Sequence, residues 1–294
     1  MTIISPHELK FLPRANFDKI PKVVHQTYKS RQEVPELWEQ GVKSWENLAL
    51  EKDNNFMYVF WDDDSIENFI LTECNIYYKF WKSRKHLIQR IDLFRYFLLE
   101  RFGGIYVDCD LGLNVSHSRF NLFFEYYQNF DVAISESESA GRFIGSNSSH
   151  SNAFMMSKPN QNFWKELFVE MKVSPRSNSK KILSSVFQHF EIINSYGPGL
   201  INDVMSTFAN NPSIVSIPKQ FTAPGFAWSK KPYFTKDSIL TVLEGNSWCD
   251  VSSRFLLKLN KAYHYRDVFI VPIMLLLIVF VILLSIFLSF KRKR

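Results

Sequence analysis

The chain has 294 residues, of which 46% are hydrophobic and 22% charged, and its formal net charge is +6. Lys291-Arg292-Lys293-Arg294 supplies four of those charges, and no basic stripe interleaved with aromatics runs elsewhere, so a nucleic-acid partner is not expected. Cys74, Cys109 and Cys249 are scattered and show no C-x-x-C spacing, which calls for neither a disulfide framework nor a zinc site.

Taken in order, Lys22 to Gln26 reads as a buried strand and Pro35 to Leu48 as a helix carrying Leu37, Trp38, Val42 and Trp45. Phe56 to Trp61 reads as a second strand, and Asp64 to Leu71 as a helix that opens on acidic residues. Around Arg90 to Phe102, Ile91, Phe94, Leu98 and Phe102 recur at helical spacing. The helix stops at Gly103-Gly104, where a positive φ is expected, and Ile105-Tyr106-Val107 forms a short strand. Strands are expected again at Asp131 to Ser135 and Asn152 to Ser157, and helices at Asn162 to Val173 and Ser179 to Asn194. This alternation argues for one α/β domain with a mostly parallel central sheet, whose ligands bind at the carboxyl ends of the strands.

Asp108-Cys109-Asp110 falls at such an end. In extended backbone, residues two apart face the same side, so the two carboxylates share a pocket while Cys109 points away. Crowded carboxylates repel unless a cation or an arginine lies between them. Mg²⁺ or Mn²⁺ suits oxygen ligands, and Mg²⁺ is commonly held by one or two carboxylates together with substrate phosphates. A polar strand end is the plain alternative. Asp92 and Arg95 lie three apart on the preceding helix and are close enough to meet, with a surface ion pair as the plain alternative there.

Arg90-x-Asp92-x-x-Arg95-Tyr96 followed by Gly103-Gly104-Ile105-Tyr106-x-Asp108-x-Asp110 resembles the signature of the DXD-containing glycosyltransferases of the Och1 and inositol-phosphoceramide mannosyltransferase type, family 32. Ile20 to Lys29 resembles that family's opening strand and Trp61-Asp62-Asp63-Asp64 the end of its second. Asn152 with Met155, and Tyr196-Gly197-Pro198-Gly199, match later elements, so the resemblance covers roughly residues 20 to 250. It implies a GT-A-like nucleotide-sugar-binding domain. Asp110 is then the direct metal ligand and Asp108 a ligand of the ribose or of the metal through water. Asp92 and Arg95 contact the donor sugar or its phosphates, and His25, Gln26 and Thr27 seat the nucleoside, although a lone histidine there is as often structural. Asn246-Ser247-Trp248 resembles a Ser-Trp element that closes related donor sites. The histidine that often precedes it as a further metal ligand is replaced here by Leu243-Glu244-Gly245, leaving Asn246 or Ser247 as substitutes.

Val268 through Phe290 is 23 residues without a charge, long enough at 1.5 Å per residue to cross about 30 Å of hydrocarbon. The expected organisation is an N-terminal segment at 1–19, a catalytic domain at 20–255, a juxtamembrane linker at 256–267, a transmembrane helix at 268–290 and a basic tail at 291–294. The basic tail puts the cytosol on that side and the domain in the Golgi or ER lumen. The N-terminus shows no apolar signal stretch, so a tail-anchored cytosolic domain competes, and the sequons at Asn114 and Asn147 decide little.

The reaction expected is Mn²⁺- or Mg²⁺-dependent transfer of a hexose, best mannose from GDP-mannose, to a membrane lipid such as inositol phosphoceramide, with retention. Glycoprotein glycans are the second acceptor class. A non-catalytic membrane subunit and a metal-dependent phosphohydrolase are the alternatives from other classes, and a regulatory membrane subunit is a candidate partner.

Overall fold

The computed structural model describes residues 3–11, 18–136, 150–171, 188–222, 234–243, 245 and 278–279. In chain order these form α1 (Pro6–Leu9), β1 (Val23–Thr27), α2 (Glu36–Leu50), β2 (Met57–Trp61), α3 (Asp63–Glu73), α4 (Asn75–Lys82), α5 (Leu87–Phe102), β3 (Gly104–Val107), β4 (Leu111–Leu113), α6 (His117–Tyr127), β5 (Val132–Glu136), β6 (His150–Ser157), α7 (Asn162–Glu170), α8 (Gln188–Ser195), α9 (Pro198–Thr207), β7 (Ile214–Ile217), α10 (Lys219–Thr222) and β8 (Leu240–Val242).

Six strands make one sheet in the order β2-β1-β3-β6-β5-β7, and β4 and β8 pair separately. Only β6 runs against the others, pairing antiparallel with both β3 and β5, so the sheet is mostly parallel, as the alternation of elements implied. Strands buried on both faces read as continuous apolar runs. Val23 and Val59 project into one core with Trp61, Phe69, Phe94 and Tyr106, while Val24, Tyr58 and Ile105 project into the other with Trp45, Phe120 and Phe154. Trp61, Phe69 and Phe94 meet edge to face at centroid distances of 5.3 to 5.7 Å, an arrangement that adds about 0.5–1.5 kcal/mol per pair beyond burial itself.

The helical spacing of Ile91, Phe94, Leu98 and Phe102 marks one apolar face of α5, but burial is not confined to that face. Every residue from Asp92 to Leu99 is buried, because α3, α4 and α7 cover the side turned away from β3 and β6. It ends where expected, with Gly103 at φ 65° and ψ −157° and Gly104 at φ 94°, conformations that L side chains rarely adopt. A β-carbon on Gly104 would also lie 2.5 Å from the Val23 carbonyl. The two glycines let the chain leave α5 and enter the sheet beside β1 in one step.

The segments 75–82, 117–127 and 198–207, to which the sequence reading assigned no element, are helices. Among the described residues no helix is long and apolar enough to cross a membrane. The span expected at 268–290 lies outside the described residues except for 278 and 279, as do the linker and the basic tail.

Candidate active site

Asp108, Cys109 and Asp110 form a turn and not the extended strand end expected: β3 stops at Val107, and Leu111 N–H donates to the Asp108 carbonyl at 3.0 Å before β4 begins. The carboxylates are neighbours all the same. Burial first and the charge of Asp108 second push the Asp110 carboxyl well above the usual carboxylate range, the behaviour of two like charges in one niche.

The turn is gripped from three directions. From β1, Gln26 Nε2 donates to the Asp108 carbonyl at 3.4 Å while its Oε1 accepts from Tyr58 Oη at 2.9 Å, and Cys109 Sγ donates to the Thr27 carbonyl at 3.3 Å. From α2, Trp45 Nε1 donates to the Leu111 carbonyl at 2.8 Å and Ser44 Oγ accepts from Leu113 N–H at 2.9 Å. Gly41 allows this approach, since a β-carbon there would sit 3.2 Å from the Cys109 carbonyl. From the residue after β8, Leu243 N–H donates to the Asp110 carbonyl at 2.8 Å.

Arg95 holds the centre. Its Nη2 is 3.2 Å from Asp92 Oδ1 and its Nη1 is 3.2 Å from Asp108 Oδ1, and Nη1 also donates to the Asn152 carbonyl at 2.8 Å. The guanidinium lies over the Tyr106 ring at 4.7 Å, and Tyr106 Oη donates to Asp108 Oδ1 at 2.8 Å. Asn152 Nδ2 donates to Asp92 Oδ1 at 2.8 Å and to Tyr96 Oη at 3.0 Å, and Tyr96 Oη donates to the Tyr196 carbonyl at 2.8 Å. Burial raises the Asp92 carboxyl and Arg95 opposes that shift. Burial also works against the charge of Arg95, and Asp108, Tyr106 and Asp92 outweigh it. Arg95 Nε is buried and has no hydrogen-bond partner among the described residues.

Asp92, Arg95, Asp108 and Asp110 are therefore brought together, the first three in direct contact. The opening strand divides. Gln26 supports the turn, and Thr27 Oγ1 donates to the Trp61 carbonyl at 2.9 Å. His25 is fully enclosed: Nε2 meets the Gly103 carbonyl at 3.1 Å and Nδ1 accepts from Trp61 Nε1 at 3.3 Å. Asn246, Ser247 and Trp248 lie outside the described residues, directly after Gly245, where a β-carbon would overlap the Asp110 carboxylate. From sequence alone, Tyr106 takes a place in the strand and the motif and has no role of its own at the site. Its position two residues before Asp108 was the signal for its contact.

Residues 35–130 match the family described as the glycosyltransferase sugar-binding region containing a DXD motif. Through this region the chain is similar to the DXD-containing glycosyltransferases. Inositol phosphoceramide mannosyltransferase 3 of Schizosaccharomyces pombe is 39% identical over 95 residues, 32% of this chain and 25% of that protein. Mannosyl phosphorylinositol ceramide synthase SUR1 of Saccharomyces cerevisiae is 36% identical over 93 residues, 32% of this chain and 23% of that protein. The match thus spans about a quarter of the length of these two relatives. Inositol phosphoceramide mannosyltransferase 2 of Schizosaccharomyces pombe is 25% identical over 246 residues, 84% of this chain and 63% of that protein. Among solved structures, PaToxG Glycosyltransferase aligns with a TM-score of 0.40 at 13% identity, covering 66% of this chain and 71% of that one.

Proposed function

We propose that the chain is a metal-dependent glycosyltransferase with a GT-A-like domain. In this reading it moves a hexose from a nucleotide sugar, best mannose from GDP-mannose, to a membrane glycolipid such as inositol phosphoceramide, with retention. The observation that carries the reading is the pairing of two crowded carboxylates, Asp108 and Asp110, with a buried arginine whose Nε has no partner.

The donor set fits a divalent cation. Among the described residues no group of three His, Cys, Asp or Glu side chains assembles, and two carboxylates completed by donor phosphates are a usual Mg²⁺ or Mn²⁺ arrangement. Asp108 is already engaged by Tyr106 and Arg95, which leaves Asp110 as the freer oxygen ligand. A bound cation there supplies Lewis acidity toward the departing diphosphate.

The chain's own residues do the positioning. Arg95, held on two sides by carboxylates and by the Asn152 carbonyl, presents fixed positive charge where negative charge develops on the leaving phosphate, and a preorganised donor costs no reorganisation during reaction. Asp92, fixed by Arg95 and Asn152, would meet sugar hydroxyls in this reading. Gln26 and Cys109 keep the turn's backbone from moving as the carboxylates take up their ligand. Asn246, Ser247 and Trp248 follow Gly245 and would complete the donor site. The likeness to enzymes named for inositol phosphoceramide supports the lipid acceptor, and an anchor at 268–290 in a Golgi or ER membrane, with the domain in the lumen, agrees with it.

The test is turnover of GDP-mannose and of UDP-sugars by the full chain with Mn²⁺, with and without inositol phosphoceramide. Asp110→Ala is expected to abolish both donor hydrolysis and transfer. Full activity in that variant would remove Asp110 from the site.

A further inference from the structure

From Cys74 to Ile91 the chain contains no acidic residue and carries Lys79, Lys82, Arg84, Lys85 and Arg90 among Tyr77, Tyr78, Phe80 and Trp81, a basic stretch interleaved with aromatics that the sequence reading passed over. This stretch forms α4 and the connection into α5. The inner side of α4 is committed to the core: Tyr77 stacks on Phe97 at 4.9 Å, and buried Trp81 donates its Nε1 to the Arg90 carbonyl at 2.9 Å. The outer side is left with Asn75, Ile76, Lys79, Lys82 and Ser83, spaced as one helix face. Ile76 is 81% exposed, and Leu87, just past the loop, is 51% exposed.

Two carboxylates face this surface from neighbouring helices. Glu67 on α3 pairs with Lys82 at 2.7 Å, and Glu191 on α8 lies 3.4 Å from Lys85 and 3.5 Å from His86. Lys79, Arg84 and Arg90 have no carboxylate within 4.0 Å among the described residues. Arg84 instead lies over the Phe80 ring at 4.1 Å and donates to the Phe80 carbonyl and to Tyr196 Oη, and Arg90 donates to the Arg84 carbonyl at 3.2 Å. The result is a surface of excess positive charge with apolar side chains standing out of it.

We propose that the outer face of α4 and the α4–α5 loop dock on an anionic lipid surface. This deepens the lipid-acceptor reading above and rests on it. Exposed apolar side chains set among lysines match the boundary between headgroups and acyl chains, and anionic lipid attracts each basic side chain near it. A nucleic acid would stack on exposed aromatic rings, and here Tyr77 and Trp81 are turned inward. The placement also serves the site. Helix α5 begins at Leu87, and at 1.5 Å per residue Asp92 lies roughly 8 Å along it, so docking here holds the donor pocket within reach of a lipid headgroup.

The test reconstitutes the full chain in nanodiscs, so that any apolar anchor is accommodated in every sample. Amide hydrogen exchange of residues 75–90 is compared between discs of phosphatidylcholine alone and discs containing phosphatidylinositol. Exchange is expected to slow about tenfold in the anionic discs. The doubly reversed Lys79→Glu/Lys85→Glu variant is expected to lose that protection, and Ile76→Ser to weaken it. Exchange of the β1 and β3 amides reports whether each variant is folded, and Lys79→Gln/Lys85→Gln replaces the reversal if it is not. Equal exchange in the two kinds of disc, or protection that survives loss of the lysine charges, would overturn the proposal. No sugar nucleotide enters the measurement, so its outcome is separate from that of the Asp110→Ala assay.

Discussion

Arg95 and Asp108 meet at 3.2 Å across the junction of α5 and β3, with the arginine side chain 3% exposed and the aspartate side chain 30% exposed. The cation is thus supplied from the protein interior and the anion from the rim. Any anionic ligand that reaches Asp110 meets a positive charge whose position two carboxylates and a carbonyl have already set.

Removing that charge should unfold as well as inactivate. Arg95→Met leaves Asp92 buried with no cation beside it, and breaking a buried pair from one side costs about 3–5 kcal/mol. Arg95→Lys keeps the charge, yet one ammonium cannot serve Asp92, Asp108 and the Asn152 carbonyl together. We expect a lower urea midpoint for Arg95→Met, and for Arg95→Lys a fall in donor turnover that exceeds its loss of stability. A lysine variant with unchanged turnover would show that the guanidinium fork plays no part in the site.

Asn152 joins the two halves of the cluster, donating to Asp92 Oδ1 and to Tyr96 Oη from one amide nitrogen. Asn152→Ala leaves both buried oxygens short of a donor, a loss of about 1–3 kcal/mol. Asn152→Asp is the harsher change, because it sets a second carboxylate against Asp92 in a buried niche where burial already raises the first. Transfer should fall about ten- to hundredfold in the alanine variant as Asp92 loses its orientation, read from kcat and KM separately. A change confined to thermal stability would assign Asn152 a purely structural place.

What could be read without coordinates follows from the range of the forces involved. Gly103-Gly104, the helix before them and the apolar strand after them are set by local sterics and periodicity, and they stand where expected. Asp92 with Arg95 is a local pair too, three residues apart on one helix. The turn at Asp108 to Asp110 was misread as extended because its shape is imposed from 66 or more residues away, by α2 on one side and Leu243 after β8 on the other. Gln26 and Asn152 carry polar side chains that any strand end might hold, and only the register of β1 and β6 beside β3 aims them at Asp108 and Asp92. His25 illustrates the reverse: its position in the opening strand suggested ligand contact, and the alternation of side chains turns it into the core beneath α5.

His25 makes the fold sensitive to acid. Burial lowers its pKa from 6.5 to about 3, with the bond to the Gly103 carbonyl opposing the shift. Between those values the unfolded chain takes up a proton that the folded chain refuses, so this contribution to stability is complete above pH 6.5 and is lost as pH falls toward 3. The slope is at most about 1.4 kcal/mol per pH unit. Urea midpoints measured between pH 7 and pH 5 should decline less steeply in His25→Gln than in the parent chain, whatever the offset between the two at neutral pH. Parallel curves would show that His25 is not the group responsible.

Gly41 separates stability from site geometry. In the interior of α2 an alanine would ordinarily gain about 1 kcal/mol over glycine. Its β-carbon would lie 3.1 Å from Leu243 Cδ1 and 3.2 Å from the Cys109 carbonyl. The leucine side chain can turn aside. The carbonyl belongs to the backbone of the turn that carries both carboxylates and can yield only if that turn moves by a few tenths of an ångström. The propensity gain and the local crowding nearly offset each other, so Gly41→Ala should keep a melting temperature within a few degrees of the parent. The displaced turn should raise the Mn²⁺ concentration needed for half-maximal activity, because metal ligands tolerate little displacement. A variant with parental metal dependence would mean that α2 packs on the turn without setting its position, and the hold on the two carboxylates would then rest with Gln26 and Cys109.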